Sequence, residues 1–191
     1  MRNLLIVLLV AVSMAASGQS ADKLYAQGKS LYDAGKYQEA VAKFVPAAEK
    51  GHKKAQYRLG LCYDKGRGVV ENDELAFKWY AKSAQQNYAK AQYQLGRCYK
   101  NGEGTAKDRQ KAFLYFSKAA QQEHGKAQLA LGKCYMKGKG TAADMAKAKT
   151  WFSRAIRNEK DGKEILADLR ADAARGDEDA KAILELTQKK R

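Results

Sequence analysis

The sequence is poor in the residues that most enzymes and most membrane spans rely on. Among 191 residues there are one proline, two histidines and three cysteines. No Ser/His/Asp set, H-E-x-x-H or C-x-x-C occurs, and carboxylates such as Asp33, Asp64 and Glu103 form no recurring pair. Nothing therefore supports an enzyme, and no catalytic residue, metal site or cofactor is expected. The longest apolar run, Leu4–Met14, falls well short of the roughly 18 residues a membrane-spanning helix needs. Negative charge is scarce too. Acidic residues number 21 against 36 basic ones, a formal net charge of +15. That excess favours acidic partners: nucleic acid, anionic lipid, cell-wall polymer or acidic protein.

The short apolar run has an address of its own. Arg2 precedes it, and the small residues Ala15-Ala16-Ser17-Gly18 follow. A basic start, an apolar stretch and a small-residue zone read as a secretory signal peptide over 1–19, cut near Gly18–Ser20. No cysteine precedes Cys62, so a lipid anchor at that cleavage site is excluded. The expected destination is outside the cytoplasm, periplasmic or secreted, with no transmembrane segment left after cleavage. Nucleic acid then recedes as a partner.

What the chain has in abundance is repetition. Ala55–Gly68 reads AQYRLGLCYDKGRG, Ala91–Gly104 AQYQLGRCYKNGEG and Ala127–Gly140 AQLALGKCYMKGKG, at a spacing of 36 residues without insertion. The second half of the unit keeps register, with Trp79-Tyr80, Tyr115-Phe116 and Trp151-Phe152. A period of this length predicts helix pairs that bury their apolar faces by stacking on neighbours. In each unit a first helix runs from the Ala through Tyr63, Tyr99 or Tyr135. A G-x-G loop ends it, and Asn72, Asp108 or Asp144 caps the second helix. An earlier pair is expected over 21–34 and 37–50, with Pro46 kinking or shortening its second helix. After Asp161 the period dissolves into two amphipathic segments, Lys163–Ala174 and Glu178–Gln188. They read as a terminal cap ahead of a basic tail, 189–191.

The pattern A-x-x-x-L-G-x-x-Y-x-x-G-x-G, followed by D-x-x-x-A-x-x-W/Y-Y/F, is similar to that of Sel1-like repeats. These are relatives of the tetratricopeptide family with a longer loop inside the repeat. The match covers about 55–156 and extends more loosely back to about 21, where the G-x-G loop is missing. The resemblance implies an all-α, right-handed α-solenoid of stacked antiparallel helix pairs over 20–188. The units fall at about 21–52, 53–88, 89–124 and 125–160, with a cap at 161–188. It also implies a protein-binding scaffold. A hydrolase role suggested for cysteine-rich relatives finds no nucleophile–base pair here.

Cys62, Cys98 and Cys134 hold one equivalent position per repeat. Neighbouring helices stack about 8–10 Å apart, beyond the roughly 7 Å between Cα atoms that a disulfide tolerates. Buried free thiols are expected. His52 and His124 fall in equivalent turns with Tyr88 between them, too far apart to share a metal or a proton. The G-x-G pairs follow helices and none runs on into G-K-[ST], so they are turns and not phosphate loops.

Lys54, Lys90 and Lys126 also recur at 36, just before the Ala that opens each first helix. In the tetratricopeptide arrangement that helix lines a concave groove. Helical spacing adds Tyr57 and Tyr93, Arg97 and Lys133, and Lys65 and Lys137, with Lys100 beside them. Lys54 and Arg58 resemble the four-apart pair with which some tetratricopeptide domains grip a peptide carboxylate. Cations interleaved with tyrosines suit an acidic peptide or protein. Lys82, Lys118 and Arg154 repeat on the second helix, expected outside. The alternative partner is an anionic envelope polymer or lipid surface met by the whole basic exterior.

Overall fold

The computed structural model describes residues 19–188. Most of the expected signal peptide, and the basic tail 189–191, lie outside them. The described residues form ten α-helices and no strand. They are α1 (Ala21–Asp33), α2 (Tyr37–Glu49), α3 (Lys53–Asp64), α4 (Asp73–Gln85) and α5 (Ala89–Asn101), then α6 (Arg109–Gln121), α7 (Gly125–Lys137), α8 (Met145–Ile156), α9 (Gly162–Ala174) and α10 (Glu178–Gln188). Among these none is long and apolar enough to cross a membrane. Contacts divide the chain into two compact units, one ending at Tyr88 and the other beginning at Ala89, a boundary that falls between repeats.

Local signals place the helix ends where the sequence implied. Asn72 Oδ1 accepts the Leu75 N–H at 2.8 Å, Asp108 Oδ1 that of Lys111 at 2.9 Å and Asp144 Oδ1 that of Lys147 at 2.9 Å. Each satisfies one of the first-turn donors a helix leaves open. Pro46 does not shorten its helix. It sits inside the 13-residue α2, where its missing N–H costs the bond to the Ala42 carbonyl. Ala47 and Ala48 beyond it are buried, and that burial holds the last turn in place.

Each repeat pair closes by one device. The glycine of the first helix meets the ring of the buried aromatic on the second: Gly28 on Phe44, Gly60 on Tyr80, Gly96 on Phe116 and Gly132 on Phe152. A Cβ at Gly28, Gly60 or Gly96 would stand 2.7 Å from ring carbons, closer than real contacts allow. Pairing is antiparallel, since Tyr80 Oη donates to Asp64 Oδ2 at 3.2 Å and Ser83 Oγ to the Lys53 carbonyl at 2.7 Å. The second glycine of the G-x-G loop joins repeats. Gly68 (φ 75°) packs on the Tyr37 backbone and Gly140 (φ 78°) on that of Arg109. Both contacts require a residue with no side chain and left-handed backbone.

In the first unit α1–α4 enclose Leu24, Phe44, Leu59 and Cys62. In the second, Phe116 and Leu131 lead one cluster and Phe152, Ile165, Leu169 and Ile183 another. The cap pair α9–α10 follows the predicted segments within a residue, though Ala180 and not Ala182 faces its core.

Candidate functional site

The cations singled out from the sequence sit on the first helix of each repeat, and the two units treat them differently. In the first unit Lys54 is exposed near the start of α3. Tyr57, one turn on, is half-buried with its ring 5.4 Å from Tyr88, edge-on, and 6.0 Å from Tyr80. Burial pushes its phenol up to about 12, so it stays neutral. The Arg58 guanidinium lies over the Tyr32 ring at 5.1 Å, so one member of the expected carboxylate-gripping pair already has an aromatic partner. Lys65 pairs with Asp64 at 3.4 Å.

In the second unit Arg97 and Lys126 act on Tyr93, and Lys90 and Lys126 act on His124, the ring stacked against it. The half-buried Tyr93 ring stacks on His124 at 4.9 Å and leans on Phe116 at 5.9 Å. Burial raises its pKa, while the charges of Arg97 and Lys126 act against the rise. His124 lies within the field of Lys90 and Lys126 as well. Arg97 donates to Gln94 Oε1 at 3.1 Å. Lys100 is exposed and Lys133 half-buried.

The cap intervenes at the last repeat. Lys126 Nζ bonds Glu164 Oε1 at 2.9 Å, and Lys137 pairs with Asp179. Both acids come from the cap, which carries eight acidic against four basic residues over 161–188. That reversal of charge was visible in the sequence as a signal that the last lysines would find partners.

Other repeat-equivalent residues serve the joints. The rings at 52, 88 and 124 each pack on the tyrosine of the preceding first helix: His52 on Tyr25 at 4.5 Å, Tyr88 on Tyr57 and His124 on Tyr93. The two histidines are also N-caps. His52 Nδ1 accepts the Ala55 N–H at 3.1 Å and His124 Nδ1 that of Ala127 at 3.3 Å. Burial lowers the His124 pKa, which Lys90 and Lys126 reinforce and Asp161 opposes. A buried glutamine recurs once in each of the three repeats. Gln56 Nε2 donates to the Ala48 carbonyl and its Oε1 accepts from Gln86. Gln92 accepts from Gln122 at 2.7 Å, and Gln128 from Asn158 at 3.2 Å. Recurrence of 56/92/128 together with 86/122/158 was the available clue to this rung.

Lys82, Lys118 and Arg154 lie over Trp79, Tyr115 and Trp151 at 4.4, 5.5 and 5.0 Å. They cover the aromatics three residues earlier on their own helices. The three cysteines are free and buried, with Cys62 and Cys134 pushed up to about 11 by burial, so they are not reactive thiolates. Among the described residues no His/Cys/Asp/Glu group could hold a metal.

A Sel1 repeat model matches residues 53–88, 89–124 and 125–159. A solved Sel1 repeat protein from Oxalobacter formigenes is 36% identical with a TM-score of 0.69, over 75% of this chain and 58% of that one. A protective antigen of uropathogenic Escherichia coli with an SLR fold is 27% identical with a TM-score of 0.74, over 94% of this chain and 40% of the antigen. Among curated proteins, an exopolysaccharide production negative regulator of Rhizobium meliloti is 44% identical over 59 residues, 31% of this chain and 22% of that protein. The matches thus cover less than two thirds of each of these relatives. The all-helical architecture is that of Sel1 and tetratricopeptide-like solenoids.

Proposed function

The chain belongs to the Sel1 repeat family of protein–protein interaction scaffolds, and from that premise we propose that it is an exported scaffold that holds an acidic protein or peptide. The lysine-bearing first-helix faces of each unit, α3 in the first and α5 with α7 in the second, are the contact surfaces. The observation that carries this reading is the Tyr93 ring stacked on His124 in the second unit, with Arg97 and Lys126 acting on the tyrosine and Lys90 and Lys126 on the histidine. A partner carboxylate there meets Lys90 and Arg97, Lys126 being held by Glu164, and its apolar neighbours meet a neutral tyrosine face. Exposed cations are weak individually and screened by salt, so binding falls as salt rises.

Affinity capture from an envelope extract tests this, with wild type beside Lys54→Glu/Lys90→Glu/Lys126→Glu. The variant loses partners that wild type retains. Identical capture overturns the assignment. A parallel Lys82→Glu/Lys118→Glu/Arg154→Glu variant tests the second reading, adhesion to an anionic envelope polymer through the whole basic exterior. Losses equal to those of the first variant favour that reading. Export is tested by fusing residues 1–19 to a reporter active only outside the cytoplasm.

A further inference from the structure

The first unit carries an acidic segment that the other repeats do not. Val69-Val70-Glu71-Asn72-Asp73-Glu74 joins its G-x-G loop to α4. The equivalent residues are Thr105-Ala106-Lys107-Asp108-Arg109-Gln110 and Thr141-Ala142-Ala143-Asp144-Met145-Ala146. There α6 and α8 begin from the same kind of cap with Arg109 or Met145 next, so acids at 71, 73 and 74 are not needed to start the helix. Val69 packs on the core of its unit, whereas Val70 stands 87% exposed. Glu71, Asp73 and Glu74 are exposed, and among the described residues no hydrogen bond or ion pair engages their carboxylates. The other acidic run, Asp177-Glu178-Asp179, is occupied at home. Asp177 accepts the Ala180 N–H at 2.8 Å, Glu178 pairs with Lys181 and Asp179 with Lys137.

We propose that this segment of one copy docks on the α5 face of a second copy, so that chains join head to tail. Such a partner is a particular case of the acidic protein proposed above and rests on that reading. Positions 90, 93, 97 and 100 fall on one stripe of α5, about 15 Å long at the helical rise. Lys90, Arg97 and Lys100 have no carboxylate partner among the described residues. Three cations thus meet three free carboxylates, and Tyr93 between them offers Val70 a neutral apolar face. The equivalent stripes fit less well. On α3 it reads Lys54, Tyr57, Leu61 and Asp64, with one cation against one acid; on α7 it reads Lys126, Leu129, Lys133 and Met136, with Lys126 held by Glu164. Because the two surfaces differ, the contact is heterologous and extends to a ring or an open row of copies. The formal charge of +15 makes two copies repel at a distance. Salt at about 0.1 M confines that field to about 10 Å and leaves touching pairs in place.

Sedimentation of the purified chain at about 0.1 M salt tests the contact. Wild type rises with concentration above the mass of one chain. Glu71→Gln/Asp73→Asn/Glu74→Gln and Lys90→Gln/Arg97→Gln/Lys100→Gln each stay single. Their equimolar mixture forms a one-to-one pair that grows no further, since it holds one intact segment and one intact stripe. Should the first variant fail to fold, Val70→Ser/Glu71→Gln, which lies outside α4, weakens association about threefold or more. Fluorescence anisotropy of a labelled glutamate-rich peptide on wild type separates this inference from the reading beneath it. Peptide binding by a chain that stays single overturns self-docking alone, and absence of both overturns the two together. Association that survives in either triple variant, or a mixture that does not pair, also overturns self-docking.

Discussion

Within the second unit, the repeat pairs α5–α6 and α7–α8 close differently from the cap pair α9–α10. In the repeats a glycine on one helix receives the face of an aromatic on the other, Gly96 under Phe116 and Gly132 under Phe152. In the cap, Ile165, Leu169, Ala180 and Ile183 meet without glycine or ring. Charge follows the same division. The first helices of the repeats expose Lys90 and Lys100, whereas the cap turns Glu164 and Asp179 toward Lys126 and Lys137. The repeats present cations outward, and the cap neutralises the last of them. The difference teaches that the position of a repeat decides whether its basic face is open to a partner.

The largest test of that contrast strikes the closure itself. Gly96→Val drives a branched side chain into the Phe116 ring and lowers stability by about 3 kcal/mol. Leu169→Ala in the cap costs about 2 kcal/mol, at the lower end for a buried leucine, because a terminal pair relaxes around the cavity. Urea denaturation of both variants measures this, and a larger loss for Leu169→Ala breaks the comparison. Next comes the joint between repeat and cap. Gln128→Leu strips acceptor and donor from Asn158 and Glu123 and costs about 1–2 kcal/mol.

A smaller effect appears with pH. The folded pKa of His124 lies below its ordinary value, burial being the main cause. As pH falls below about 6.5, the unfolded chain takes up a proton that the folded chain refuses, so stability declines. His124→Asn keeps an N-cap acceptor without a titrating group. Its melting temperature falls less than that of wild type between pH 7 and pH 5; an unchanged slope contradicts this origin. The smallest effect belongs to the cap's exposed ion pairs. Glu164→Gln/Asp179→Asn changes stability by under about 1 kcal/mol, yet frees Lys126 and Lys137. Affinity for an acidic peptide therefore rises, measured by calorimetry at low salt.

The architecture was legible because each element carried its own signal. The 36-residue period and the caps at Asn72, Asp108 and Asp144 appear in the structure as the pattern implied. The candidate surface was legible only in part. Register placed the lysines on the first helices, but partners distant in sequence decide their charge state and freedom. Arg58 turned to Tyr32 in the preceding helix pair, and Lys126 to Glu164 in a segment without the repeat. The histidine caps escaped because a ring in a turn carries no periodic signature beyond its own recurrence. Pro46 does not shorten its helix, because propensity is local whereas the burial that overrides it is not.

The central claim, that the cations around Tyr93 recognise acidic protein segments, is tested most directly by a charge swap. Fluorescence anisotropy follows a labelled glutamate-rich peptide and its lysine-rich counterpart against wild type and Lys90→Glu/Arg97→Glu. The account predicts that wild type binds the acidic peptide, with affinity falling as salt rises, and that the variant prefers the basic one. Unchanged preference in the variant would contradict it.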